Sequence, residues 1–351
     1  MARQPPSTSG VLPEPICLLC GVAIRSTDRL EMPQEYSKFN KQYWKRLSKS
    51  DPKHDVLVSS DEVLELTYHV GKFPRVWSCL CRAIIKDSAT KYRLTGITSI
   101  QHWQGPFYAV NDPTKARIGG KKKNPQYDNQ VFTQFYAAHI KRQPRVYKDK
   151  TIGYFIHAHC WALFGQVECP RLNNIKLAKL IQIYRNYWRD NDCWGISPDF
   201  TGPSELTLSL RCDLEVSHSP LVVPEIQEAI ISAKAECYHP SSVFSILPLE
   251  LMVLISGYVC HITEYTVEDV QNLKNMLLGF GWELPVWFWR SRLGESLFFE
   301  LEKPTDTSPV DWKLRLNLMS LVAGQSKPVP SGLVNRERVL GVMFALKKPE
   351  P

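Results

Sequence analysis

The sequence predicts an α+β fold, with an irregular, strand-containing amino-terminal region followed by a small helical module. Aromatic and β-branched residues broken by glycine and proline fill residues 15–165, a composition typical of short strands. After residue 170, apolar residues recur at three- and four-residue steps, which is the spacing of one helix face. Strands that precede the helices along the chain favour the α+β class.

The composition is that of a globular protein with more than one folding unit. The chain has 351 residues, of which 44% are hydrophobic and 22% charged, so a packed core is expected. Domains of roughly 100 to 200 residues would divide this length into two or three units. The first ten residues lack the apolar run of a signal peptide, and the most apolar window, 246–262, is shorter than the roughly 20 residues that span a bilayer. We expect an intracellular protein, cytoplasmic or nuclear, with no membrane partner.

Local patterns place the elements and their boundaries in order. Strands are predicted at 76–77, 92–100 and 152–156, and a helix with one apolar face is predicted over 177–188. Glycine, proline and serine between 190 and 220 indicate a long connection, after which Pro224 opens another helix. The predicted divisions are a disordered tail at 1–14, an α+β region at 15–189, a linker with one helix at 190–240, a helical module at 241–293 and an extension at 294–351.

The helical module begins with a proline-started amphipathic helix. Pro248 suits the first turn, and Leu251, Leu254, Ile255 and Tyr258 follow at helical spacing. The apolar residues at 244 and 247, just ahead of the helix, could fold back onto it or remain available to a partner. A second helix is predicted between a capping region at 266–269 and the glycines at 279 and 281.

This module resembles the F-box family. The leucine-proline-leucine-glutamate-leucine run at 247–251 matches the leucine-proline-x-glutamate core of that family. The segments 279–285, 289–292, 311–313 and 332–338 are similar to the continuation in filamentous-fungal F-box proteins. The resemblance implies docking onto the Skp-type adaptor of a cullin and RING ubiquitin ligase, with the rest of the chain selecting the target protein. We therefore expect a substrate-recruiting subunit and not an enzyme.

The expected adaptor-binding residues are anchors in a central apolar patch, because a few such side chains carry most of the binding energy of an interface. They are Leu247, Pro248, Leu251, Ile255 and Trp289. Each of the five could instead pack in a local helical core. The sequence leaves both roles open.

Four residues far apart in the sequence have the chemistry of a zinc site. Cys17 and Cys20 stand three positions apart before a glycine that permits a tight turn, and His157 and Cys160 repeat that step. Together they predict a Cys3His site, and a similar CxxC with a later HxxCW recurs in the fungal F-box group. The span of 143 positions from Cys17 to Cys160 (160 minus 17) requires a large insertion to loop out. Four protein ligands leave no position for water, so the zinc would be structural.

Other roles for the cysteines remain open. Cys17 and Cys20 could be a reduced, buried pair without a metal. Cys79 and Cys81, which would share one face of a strand, could substitute as ligands, although we expect them to fill the core.

Enzymatic and nucleic-acid-binding alternatives carry weaker signals. A cysteine hydrolase would pair Cys160 with His157 or His159, but catalytic Cys and His normally meet from separate elements. The Gly-Gly-Lys at 119–121 lacks the spacing of a phosphate-binding loop. The formal charge of +8, with three lysines at 121–123, makes nucleic acid a minor hypothesis. The alternative function is a zinc-stabilised interaction or nucleic-acid-binding protein without a ubiquitin-ligase role.

Overall fold

The structure of the chain, a computed structural model, divides into two compact units. One contains residues 1–222 with 341–351, and the other contains residues 223–340. The described residues are 15–25, 56–66, 74–88, 91–100, 106–118, 130–138, 150–167, 177–190, 218–235, 247–262, 265–294, 297–301, 312–323 and 331–345. The predicted tail at 1–14 and the lysines at 121–123 lie outside them. The predicted α+β class is confirmed, because strands come first and helices follow.

A mixed sheet forms the centre of the first unit. Its strands and those of a smaller ribbon are β1 Val56–Ser59, β2 Leu80–Lys86, β3 Tyr92–Leu94, β4 Thr98–Ser99, β5 Phe107–Val110, β6 Lys115–Ile118, β7 Phe132–Ala137 and β8 Ile152–His157. The order in the sheet is β3-β2-β8-β7-β5, and β4 also pairs with β2. β2 and β8 are antiparallel, whereas β7 and β8 are parallel. β1 and β6 form a separate antiparallel pair.

The two central strands are mostly apolar and are buried on both faces, with Arg82 as a buried charge in β2. All six residues of β8 are buried, and so are the first six residues of β2. Such strands have continuous apolar runs and not alternation. Phe155 of β8 packs against Phe107 of β5 and Phe135 of β7, with ring centroids 4.8 Å and 5.1 Å away. The predicted strands at 92–100 and 152–156 are therefore confirmed, the first as two short strands.

The strand predicted at 76–77 is wrong. A 3-10 helix, Pro74–Cys79, occupies this position and leads directly into β2. Val76 and Trp77 are both buried in this helical turn. A short apolar run does not distinguish a strand from a helical turn by its periodicity. Consequently Cys79 and Cys81 do not share a strand face, although both fill the core as predicted.

Three helices complete the described part of the first unit. They are α1 Ser60–Leu66, α2 Ala158–Val167 and α3 Leu177–Asp190. β8 passes into α2 without an intervening loop. His157 is therefore the last residue of the strand, and Cys160 lies in the first turn of the helix. In α3, the predicted apolar face is buried at Leu180, Ile181 and Tyr184.

The described part of the second unit consists of helices around one core. They are α4 Pro224–Ala235, α5 Leu249–Val259, α6 Val267–Phe280, α7 Val286–Arg290, α8 Trp312–Ala323 and α9 Ser331–Ala345, which begins in this unit. The buried core residues include Val223, Ile226, Val270, Leu273, Leu277, Phe288, Trp289, Leu316, Met319 and Leu333, and α5 packs against this core through the partly buried Met252, Val253 and Val259. No helix in the described ranges combines the length and apolar character needed to cross a bilayer.

The structure divides this half of the chain differently from the sequence. The predicted boundaries at 240 and 293 would separate α4, the helical module and the extension. Instead Val223 and Ile226, both fully buried, pack in the same core as Leu273 of α6 and Met319 of α8. The apolar face of α4 has its partners in this core, so this helix belongs to the second unit and not to a linker.

Local chemistry sets the ends of α6. Thr266 and Asp269 form a capping box, in which the Thr266 hydroxyl accepts from the Asp269 backbone N–H and the Asp269 carboxylate accepts from the Thr266 N–H. At the other end Gly281 adopts the left-handed conformation, with φ of 66°. Both predicted signals are confirmed.

A buried ion pair ties the segment after α7 to α9. Arg336 donates to both carboxylate oxygens of Glu300, at 3.0 Å and 2.8 Å, and also to the Leu297 carbonyl oxygen at 2.7 Å. Its guanidinium lies 4.5 Å from the centre of the Phe299 ring. The Arg336 side chain is fully buried, so these contacts replace its hydration.

Candidate functional site

A tight turn near the start of the chain presents two of the predicted metal ligands. The Cys17 backbone N–H donates to the Val22 carbonyl oxygen at 2.9 Å, and the Gly21 N–H donates to that of Cys17 at 3.0 Å. Gly21 has a φ of 72°, in the left-handed region where glycine has no Cβ penalty. This Cys-x-x-Cys turn, residues 17–21, therefore directs Cys17 and Cys20 inward.

The other two ligands come from the junction of β8 and α2. His157 is the last residue of β8, and Cys160 lies in the first turn of α2. The turn at 17–21 is attached to the same strand, because the Leu18 N–H donates to the Phe155 carbonyl oxygen at 2.7 Å. The His157 N–H also points to the Cys17 sulfur at 3.3 Å. Strand and turn thus bring the two halves of the site together.

The four side chains form a closed cluster that could hold a metal ion. The ligand atoms of Cys17, Cys20, His157 and Cys160 all lie within 4.8 Å of one another. The Sγ of Cys20 is 3.3 Å from the Nδ1 of His157. All four residues are completely buried. The predicted set is therefore assembled, and the intervening chain supplies the strands of the sheet instead of only looping out.

The three thiols differ in their affinity for protons. Burial raises the pKa of Cys17 and of Cys160 well above the usual range. Burial also acts against ionisation of Cys20, but hydrogen bonds from Cys160 and Cys17 and the charge of His157 lower its pKa well below normal. One thiolate is therefore favoured without a metal, and binding of an ion by all three sulfurs would release protons.

Two neighbouring groups that the sequence left as alternatives stay outside the cluster. The Nδ1 of His159 lies 2.6 Å from the hydroxyl of Ser219, and both residues are fully buried. Burial, with a smaller contribution from the charge of His157, lowers the pKa of His159 to about 3. Cys81 stands opposite His157 in the sheet, but its thiol is directed to the Thr98 carbonyl oxygen at 3.4 Å.

Two tryptophans lie beside the cluster, Trp77 and Trp188, which the sequence places only in a predicted strand and on a predicted helix face. The ring centroid of Trp77 is 4.6 Å from that of His157, and the indole of Trp188 packs beneath the turn at 17–21. Trp77 belongs to the 3-10 helix before β2 and Trp188 belongs to α3, whereas the ligands belong to the turn at 17–21, β8 and α2. Only the three-dimensional fold brings them to the site.

The predicted adaptor-binding residues do not all lie at the surface. Pro248, Leu251 and Ile255 are exposed, whereas Leu247 is half-buried and packs against the core of the second unit. Trp289 is only 2% exposed, and its indole N–H donates to the Leu284 carbonyl oxygen at 3.2 Å. The expected contact of Trp289 with the adaptor is therefore wrong. Its ring is buried in the core, because α7 directs it inward.

An apolar stripe runs along the outer side of α5. We define the α5 stripe as Leu251, Leu254, Ile255 and Tyr258, which are 45%, 55%, 38% and 77% exposed. The opposite side of the helix faces inward at Ser256, which is fully buried. The spacing of Leu254 and Tyr258 signalled their position on the helix, but not which side the core would cover. Trp287, 58% exposed on α7, had no comparable signal in the sequence.

The neck between α5 and α6 is joined to α7. Arg292 donates from Nε to the Cys260 carbonyl oxygen at 2.9 Å and from Nη1 to that of Phe288 at 3.0 Å. Its guanidinium stacks on the Phe288 ring at 3.6 Å, and the Tyr265 hydroxyl donates to the Arg292 carbonyl oxygen at 3.3 Å. Arg292 and Tyr265 therefore join the described ends of this segment to α7.

Comparison of the chain with protein-family models, curated proteins and solved structures finds no match.

Proposed function

We propose that the chain is an F-box recruitment subunit, which binds a Skp-type adaptor, and through it a cullin, by way of α5. The observation that carries this proposal is the α5 stripe. A helix at the surface of a globular protein normally directs its polar side outward, and contiguous exposed apolar residues mark interaction sites. The resemblance of residues 247–250, at the start of the same helix, to the leucine-proline-x-glutamate core of F-box proteins supports a Skp-type adaptor as the partner.

The stripe has the composition of an interface centre. Three aliphatic side chains and one tyrosine stand on one side of a helix that contains a single acidic residue, Glu250. Removal of such side chains from water contributes about 25 cal/mol for each Å² of apolar surface. Leu251 and Ile255 lie one helical turn apart, and we assign them as the central anchors. Trp289 supports α7 from the core.

The first unit would then select the target protein, and we propose that it is stabilised by zinc. Zn–S bonds of about 2.3 Å and Zn–N bonds of about 2.0–2.1 Å place the ligand atoms of a tetrahedral site about 3.6–3.8 Å apart. The Sγ of Cys20 is 3.3 Å from the Nδ1 of His157, and no two of the four ligand atoms are more than 4.8 Å apart. The distances expected around zinc lie between these two values. Four buried protein ligands leave no position for a reactive water, so the ion would be structural.

We propose no enzymatic activity. Cys160 is completely buried and burial raises the pKa of its thiol, which disfavours the thiolate that a hydrolase needs. Its sulfur is also directed into the cluster with the other ligands.

Co-purification with a filamentous-fungal Skp-type adaptor tests the recruitment function. The natural chain is expected to retain the adaptor, and a variant with Leu251→Ala and Ile255→Ala is expected to lose it. Ile231→Ala is the matched control, because this residue is 67% exposed on α4, outside the stripe. Equal retention by all three folded proteins would refute the proposal.

A zinc-stabilised interaction protein without a ligase role is the second candidate. The metal-binding cluster favours it, because this cluster can stabilise a binding surface whether or not α5 engages an adaptor. The same experiment separates the two functions. Zinc content of one ion per folded chain, together with failure to retain any Skp-type adaptor, would favour the second. The basic residues of the nucleic-acid hypothesis at 121–123 lie outside the described ranges.

A further inference from the structure

Trp188, in the last turn of α3, contacts the Cys-x-x-Cys turn, residues 17–21, at two places. Its indole Nε1–H donates to the Leu18 carbonyl oxygen at 2.7 Å. The six-membered part of its ring lies against Gly21, so closely that a Cβ on Gly21 would stand 2.6 Å from the Cη2 atom. Trp188 is only 1% exposed. It is not itself a ligand, since the indole nitrogen is a donor only.

The contact with Leu18 holds the middle of the Cys-x-x-Cys turn from α3. The Leu18 N–H donates to the Phe155 carbonyl oxygen of β8, and its own carbonyl oxygen accepts from Trp188. Both backbone groups of this residue are thus occupied, one by the strand that carries His157 and one by α3. The positions of Cys17 and Cys20, on either side of Leu18, follow from these two contacts.

Gly21 makes the approach of the indole possible. Its φ of 72° is left-handed, and the space that a side chain would occupy is filled by the Trp188 ring. The shape of the turn and the docking of α3 therefore depend on each other. Any change that moves α3 from the turn also removes the support beneath the two thiols.

We propose that Trp188 is a positioning residue for the metal centre, and that metal binding is linked to the docking of α3. The indole holds the turn at 17–21 in the conformation that directs Cys17 and Cys20 to His157 and Cys160. By thermodynamic linkage, a metal ion that requires this conformation stabilises the docked α3 by the same free energy. This inference rests on the proposed metal binding.

The first test is the affinity of the full chain for Co²⁺, followed by its visible absorption, and for Zn²⁺, measured in competition with a chelator. Trp188→Phe keeps an aromatic ring but removes the N–H. We expect about tenfold weaker binding, which corresponds to about 1.4 kcal/mol. Trp289→Phe is the matched control, because it also removes an indole hydrogen bond to a backbone carbonyl, in the other unit. It is expected to leave the affinity unchanged.

The second test begins with the natural chain and then uses the same variant. Hydrogen exchange of the natural chain is compared with and without Zn²⁺, and the amides of α3 are expected to be protected by the metal while those of α6 are not. In Trp188→Phe this protection of α3 is expected to be smaller. A merely structural role of Trp188 would not make α3 sensitive to metal.

The outcomes distinguish this inference from the proposed metal site. If the natural chain takes up Co²⁺ but α3 exchanges at the same rate in both states, the linkage is refuted. Unchanged metal affinity in folded Trp188→Phe also overturns the positioning role. If the folded natural chain takes up neither Co²⁺ nor Zn²⁺, the metal site itself is absent and both proposals fail.

Discussion

The sulfur of Cys20 and the Nδ1 of His157 are 3.3 Å apart, although 137 positions separate the two residues in sequence. This pair joins the first described turn of the chain to the end of β8 and the start of α2. Between them lie β1 to β7 and most of β8. A metal ion at this place would therefore join the turn at 17–21 to the end of the last strand of the sheet.

Replacement of a metal ligand is expected to remove the ion and to destabilise the first unit. Cys17→Ala or Cys160→Ala leaves three ligands, and elemental analysis of the folded protein should fall from one zinc per chain to nearly none. The midpoint of thermal unfolding should fall with it, because binding free energy at a structural site is folding free energy.

Cys81→Ala is the control for the ligand variants. Cys81 is equally buried and stands opposite His157, but its thiol is directed to Thr98. It is expected to retain zinc. Full zinc content in Cys17→Ala, or equal loss in Cys81→Ala, would contradict the assignment of the four ligands.

The capping box of α6 is expected to make part of the stability depend on acid pH. A hydrogen bond from the Thr266 backbone N–H, aided by the Thr266 hydroxyl, lowers the pKa of Asp269. Because the folded pKa is below the unfolded value of about 3.9, the carboxylate stabilises the fold above that value. This contribution is lost as the pH falls through the folded pKa.

Denaturant unfolding between pH 7 and pH 3 measures this effect. Asp269→Asn should lose less stability on acidification than the natural chain, whereas Glu268→Gln, an exposed neighbour in the same turn, should behave like the natural chain. Identical acid dependence in all three proteins would mean that the capping box contributes nothing to it.

Several features of the fold and site could be predicted because their signals are local. The ends of α6 follow from Thr266 and Gly281, whose side chain and backbone act within one turn. The metal ligands were predicted from the chemistry of thiol and imidazole at a repeated step. The face of α3 followed from its period.

Other features depend on contacts that a sequence does not contain. The role of Trp188 arises from a hydrogen bond to Leu18 across 170 positions. Five residues are too few to predict which side of α7 faces the core. Trp289 was therefore named among the adaptor contacts, with a core role left open, and Trp287 was overlooked. Val76 and Trp77 resemble a strand in composition, but tertiary packing holds them in a helical turn.

Removal of one partner of the ion pair between Arg336 and Glu300 is expected to destabilise the second unit strongly, because the other charge is left buried and uncompensated. Arg336→Met would leave the Glu300 carboxylate without its partner in a mostly buried position, at a cost of about 3–5 kcal/mol. Denaturant unfolding measures the loss. Glu337→Gln, an exposed residue on the same helix, should change stability by less than about 0.5 kcal/mol. Equal stability of Arg336→Met and the natural chain would contradict this role.

The proposed docking of α5 onto a Skp-type adaptor is tested by the dissociation constant for the purified adaptor. Titration calorimetry should give saturable one-to-one binding by the natural chain and by Ile231→Ala. The Leu251→Ala, Ile255→Ala variant should bind at least about 30-fold more weakly, since loss of two central anchors costs about 2 kcal/mol or more. No binding by the folded natural chain, or equal affinity of the double variant, would contradict the account.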